Sequence, residues 1–181
     1  LPICALRIRE RALALLGFQE LDANLYVRPD NLIGSADAAR ARLYKLGLDA
    51  AAPVFSAQGL DAQREQAARK LWNGEVLNAS YRQTRLKLQE WQERAHLLDL
   101  ETAARESFLQ GNEAIRQLVY DPLLPEPLVD VGERRAFTAA VQHYDEVGHD
   151  IWKRMLAQIS PGALPTPAHE SRPPSGHAPH G

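Results

Sequence analysis

The sequence predicts an α+β protein: a short mixed segment followed by a mainly α-helical remainder. Three observations carry this. The first third alternates helix-like and strand-like stretches separated by Gly, Pro and Asn-rich turns. The middle and last thirds repeat apolar residues at three- and four-residue spacing. From Pro161 to Gly181 the chain holds six of the 12 prolines, three of the six histidines, one leucine and no aromatic residue.

Taken in order, a helix is expected from about Ala5 to Leu16, with Gly17 stopping it. Extended chain follows through Phe18-Gln-Glu-Leu21, a turn at Asp22-Ala-Asn24, and a second strand through Leu25-Tyr-Val-Arg28, closed by Pro29. A second helix spans about Ala36 to Leu46, with Asp37 near its start and Gly47 at its end; Ala52-Pro-Val-Phe55 reads as a last short strand. Helix, strand, strand, helix, strand is a ferredoxin-like unit without its first strand. That strand normally occupies the middle of the sheet, so residues 1–58 are expected to be incomplete, with the strand lying upstream or supplied by another chain. The first residue, Leu rather than Met, agrees with an upstream portion.

Residues 59–160 are expected to be helical. A helix from Leu71 to Trp91 carries Leu77, Tyr81, Leu88 and Trp91 on one stripe, with Arg82, Arg85, Lys87 and Glu90 in other directions. A further helix lies between about Glu101 and Tyr120, with Phe108, Ile115, Leu118 and Val119 as its inward residues and Gly111 as a point of division. Asp121-Pro122 and Pro125-Glu126-Pro127 impose an extended connector. The last helix, about Glu133 to Ile159, places Phe137, Val141, Tyr144, Gly148, Ile151 and Met155 on a seam of alternating four and three. The tail, 161–181, is too poor in apolar surface to offset its ordering entropy and is expected to be disordered.

Composition limits the function classes. With 21 basic against 23 acidic side chains the net charge is -2, which argues against a surface built to neutralise phosphates. One cysteine, Cys4, removes an internal disulfide framework and a cysteine-based zinc site and fits the cytoplasm. No apolar run reaches the ~20 residues of a membrane span. There is no glycine-rich phosphate loop, nucleophile elbow or His-Glu-x-x-His motif, so no enzyme is expected. His143 and His149 lie roughly 240° apart around a helix and cannot share a metal on one face.

Several phrases, taken together and in order, carry a resemblance: Leu16-Gly-Phe18, Leu25-Tyr-Val-Arg-Pro-Asp-Asn-Leu32, Lys70-Leu-Trp72, Leu77 to Tyr81-Arg82, and Tyr120-Asp-Pro-Leu-Leu-Pro-Glu126. Over Ile8 to about Leu156 the chain resembles the PaaX family of transcriptional repressors of phenylacetic acid degradation. It departs from the family at Asp130-Val131-Gly132, where a Trp-Pro-Gly phrase is frequent. The resemblance implies a ferredoxin-like middle domain and a helical C-terminal domain tied to effector response and homodimer formation. Operator DNA would be read by an N-terminal winged helix absent from these residues. The implied effector is an aryl-CoA such as phenylacetyl-CoA, with no other cofactor. An aryl group calls for aromatic walls and CoA phosphates for arginines. Trp72, Tyr81, Arg82, Arg116, Arg135 and Tyr144 supply both types and are the candidate effector-binding residues. The alternatives are an interaction module with no small ligand, and a nuclease-like enzyme of ferredoxin-like fold.

Overall fold

The structure is a computed structural model and describes residues 3–159. The Pro/His-rich tail expected at 161–181 lies outside the described residues. In chain order the elements are α1 (Ile3–Leu15), β1 (Gln19–Asp22), β2 (Leu25–Val27), α2 (Ser35–Lys45), α3 (Ala62–Arg69), α4 (Gly74–Ala95), α5 (Leu100–Val119) and α6 (Val131–Ile159). No helix among the described residues is long and apolar enough to cross a membrane.

The first four elements form a small layer. Gly17, at φ 72°, turns the chain out of α1, and Asn24, at φ 60°, turns β1 back into β2. The strands pair antiparallel, Gln19 opposite Val27 and Glu20 opposite Tyr26, with an irregularity before Asp22. Ala12 and Leu13 of α1, Leu16 just after it and Leu43 of α2 are buried together, with Phe18, Tyr26, Leu48 and Val54 packed around them. The expected strand at Ala52–Phe55 does not form. Its carbonyls are taken by α2 instead: the Arg40 guanidinium donates to Val54 O at 3.1 and 2.5 Å, and Tyr44 Oη donates to Ala52 O at 2.9 Å. The described sheet is therefore a two-stranded hairpin, not the sheet of a ferredoxin-like unit.

The helical unit is built around α6, which packs along both α4 and α5 while those two touch each other little. The seam expected on α6 is the buried one: Phe137, Val141, Tyr144, Gly148 and Ile151, with Met155 partly buried. Tyr81 stacks on Phe137 at 5.5 Å between ring centroids, and Trp91 tilts against Tyr144 at 4.9 Å.

Two expectations for this unit need correction. The helix expected from Leu71 starts three residues later, because the Asn73 side chain accepts from Val76 N at 3.1 Å and caps a new helix at Gly74. On α5 the inward face is not Phe108, Ile115 and Val119, which are 57%, 43% and 51% exposed; only Leu118 is partly buried. The buried residues are Ala103, Ala104, Ser107 and Ala114, and α5 runs unbroken through Gly111. The reason is steric: small residues let α5 approach the bulky seam of α6. A Cβ at Gly111 would lie 3.4 Å from Tyr144 Cε1, and one at Gly148 would lie 3.5 Å from Ser107 Cβ.

Candidate functional site

The two units meet at the connector between α5 and α6, and the phrases that carry the resemblance converge there. Asp121 Oδ1 accepts from Leu123 N at 2.7 Å, an Asx turn that sets the connector's path, while Leu123 sits at φ 51°. Leu124 is fully buried, and its carbonyl accepts from Arg134 Nη1 of α6 at 2.5 Å. This face of the connector belongs to the helical unit.

The other face belongs to the small layer. Asn31 Nδ2, in the loop after β2, donates to Leu123 O at 2.7 Å. Asn31 is itself oriented by Arg28, whose guanidinium donates to Asn31 Oδ1 at 3.0 Å and to the Leu16 carbonyl. Gly17 lies so close to Pro122 that a Cβ would stand 2.6 Å from its Cα. Trp72 Nε1, just before α4, donates to Gly17 O at 3.2 Å. Gly17, Arg28, Asn31, Trp72, Asp121 and Pro122 thus form one joint although they span more than a hundred residues of sequence.

Beneath the joint lies a polar cluster that is incompletely satisfied. Tyr81 Oη and Asp121 Oδ2 are buried there without a hydrogen-bond partner among the described residues, beside the Arg134 guanidinium. Burial, with the Asp121 carboxylate adding to it, pushes the Tyr81 phenol well above its ordinary range. Arg85, expected to point away from the apolar stripe, turns inward and meets Glu133 at 3.4 Å.

Residues 72–154 match the family model described as PaaX-like protein C-terminal domain. The helical unit is a PaaX-like C-terminal domain. No curated protein and no solved structure matches the chain.

Within the PaaX-like domain the six sequence-predicted residues take three kinds of place. Trp72 is at the joint. Tyr81 and Tyr144 are buried in the core, where Tyr144 Oη donates to Ser107 O at 3.3 Å and Glu106 O at 3.4 Å. Arg82, Arg116 and Arg135 are exposed on α4, α5 and α6 and pair with no carboxylate among the described residues. The structure does not bring the six together. A depression of about 440 Å³ at the far end of the bundle is lined by Ala95, His96, Leu98, Arg154 and Gln158, among others, and by none of the six.

Sequence reasoning missed Asn31, Arg134 and Asp121 as joint residues. The signal for Asp121 was present in its Asp-Pro phrase; that for Asn31 was not, because its partner lies 92 positions away. The departure at Asp130-Val131-Gly132 has a local role: Asp130 Oδ1 accepts from Glu133 N at 3.0 Å at the start of α6, and Asp130 N donates to Asn78 Oδ1 at 2.9 Å. No group of three or more metal-ligating side chains occurs among the described residues.

Proposed function

We propose that this chain is the effector-sensing and oligomerisation part of a PaaX-type transcriptional repressor of aromatic catabolism, released from its operator by an aryl-CoA such as phenylacetyl-CoA. The observation that carries the reading is the family match over the three-helix unit, which favours a regulator over an enzyme. The joint supports it. A regulator needs an element with two arrangements whose balance a ligand can shift, and a ligand shifts it only by binding one arrangement better. The connector is held from both sides by a few hydrogen bonds, from Asn31 to Leu123 O and from Arg134 to Leu124 O, as expected of such an element.

In this reading the aryl group takes a place opened beside Trp72, Tyr81 and Tyr144, and Arg82, Arg116 and Arg135 donate to the anionic part of CoA. Because Tyr81 and Tyr144 are buried, binding requires the bundle to rearrange, and that rearrangement is the signal. Operator recognition falls to a winged helix outside these residues.

Calorimetric titration with phenylacetyl-CoA, alongside CoA alone, tests the proposal. Saturable binding with a negative heat-capacity change is expected for the aryl thioester and not for CoA. Absence of heat and of any thermal stabilisation by phenylacetyl-CoA overturns the effector assignment. One observation favours the second reading, an interaction module with no small ligand: the exposed apolar residues of α5. Self-association with no response to any aryl-CoA would support it. The nuclease-like alternative finds no metal-ligating cluster among the described residues to build on.

A further inference from the structure

The three helices of the PaaX-like domain are joined in two different ways. α6 meets α4 and α5 through the apolar seam, with rings stacked and small residues closely packed. α4 and α5, which touch each other little, are bridged by the ends of polar side chains. Gln117 accepts from Thr84 Oγ1 at 2.6 Å and donates to Ser80 Oγ at 2.9 Å, and Lys87 Nζ donates to Glu113 Oε2 at 2.7 Å. One oxygen of Glu106 accepts from both Trp91 Nε1, at 2.9 Å, and Arg94 Nη2, at 3.0 Å. Separating apolar faces costs free energy in proportion to the area exposed, whereas groups bonded across a polar seam find water as a replacement partner, and exposed ion pairs hold little. The bundle therefore parts at least cost between α4 and α5.

What that parting uncovers is set by Glu106. Its carboxylate holds Trp91 and Arg94, and the carbonyls of Glu106 and Ser107 accept from Tyr144 Oη. Trp91 and Tyr144 are both buried and lie ring against ring at 4.9 Å. We propose that the domain opens between α4 and α5 about α6, with Glu106 as the latch, and that the space uncovered beside Trp91 and Tyr144 takes a flat aromatic group carrying an anion. The two rings supply the apolar walls, and Arg94, released from Glu106, pairs with the anion. Such a site exists only in the opened arrangement, and a ligand that fills it raises the population of that arrangement. The opening stands apart from the effector reading above; the occupant rests on that reading and gives its aryl group a place.

In the full chain the opening is read from hydrogen exchange of the Trp91 indole N–H, followed by nuclear magnetic resonance beside the backbone amides of α6. Protection of the indole roughly tenfold or more below that of the Tyr144 amide is expected, and Glu106→Ala is expected to lower it about tenfold further. In a chain carrying Cys4→Ser, the exposed positions Lys87→Cys and Glu113→Cys let a short bismaleimide tie α4 to α5. The tie is expected to raise the protection of the indole to that of α6. An indole as protected as α6 in the untied chain, or one whose protection the tie leaves unchanged, overturns the opening. Titration with phenylacetyl-CoA, with CoA alone as control, tests the occupant. The tied chain is expected to bind the thioester roughly tenfold or more weakly than the same chain with its two thiols capped separately. Equal affinity of the tied and capped chains overturns the site beside Trp91 and leaves the effector reading intact. No binding by either, or by the unmodified chain, overturns the effector reading and the occupant together, while the exchange result alone decides the opening.

Discussion

At Gly74 a Cβ would stand 1.7 Å from Leu128 O, a backbone atom that cannot swing away as a side chain would. Gly74→Ala must therefore push the connector off the start of α4. A loss of about 1–3 kcal/mol, read as a lowered urea midpoint, is expected from such overpacking. Tyr144 is the complementary case. Its ring fills the seam between Trp91 and the small residues of α5, and its hydroxyl is spent on two carbonyls. Tyr144→Ala should cost about 3–5 kcal/mol whether or not Tyr144 ever touches an effector. An unchanged melting temperature would contradict its burial.

Helix ends and helix faces respond to different perturbations. Asp99 caps α5 by accepting from Thr102 N at 2.9 Å, which holds its carboxyl below the ordinary 3.8. A carboxyl with a lowered folded pKa stabilises the fold above its unfolded value and loses that contribution as pH falls through the folded value. The first turn of α5 should thus fray below about pH 4, visible as faster exchange of the Thr102 amide relative to mid-helix amides. Asp99→Asn keeps a competent cap and should remove the pH dependence. The two faces of α5 differ more sharply. Ala104→Leu, on the buried face, should cost about 1–3 kcal/mol, whereas Phe108→Ser, on the exposed face, should change monomer stability by less than about 1 kcal/mol. The reverse order would restore the face assignment that the sequence suggested.

The joint makes a claim about the whole molecule. If Asn31, Gly17 and Trp72 tie the small layer to the connector, Asn31→Ala should loosen that layer more than the bundle. Hydrogen exchange should then rise at Leu25–Val27 while α6 keeps its protection. Even in the unmodified chain these amides should exchange faster than those of α6, since among the described residues β2 pairs with β1 alone. The net charge of -2 and the expectation that operator reading lies outside these residues predict weak, sequence-indifferent DNA binding in a mobility-shift assay at moderate salt. A tight footprint on a defined operator would refute that division of labour.

By itself the sequence determined those features whose cause is local. Four-three spacing located the buried seam of α6, Gly17 and Gly47 ended α1 and α2, and Asp22-Ala-Asn24 turned the hairpin. An ordered series of phrases was enough to indicate the family that the match over 72–154 then supplied. Tertiary structure decided the features that depend on a distant partner. The apolar arc of α5 is wider than one neighbour can cover, so periodicity alone could not choose between its large and its small residues. The bulky seam of α6 made the choice by admitting Ala103, Ala104, Ser107 and Ala114. Ala52–Phe55 has the composition of a strand, yet a strand needs a ladder partner, and Arg40 and Tyr44 reached its carbonyls instead. For the candidate effector residues, side-chain chemistry was legible but convergence was not. Whether six side chains share a surface is set by how three helices rotate about their axes, and that rotation is fixed by packing across the bundle.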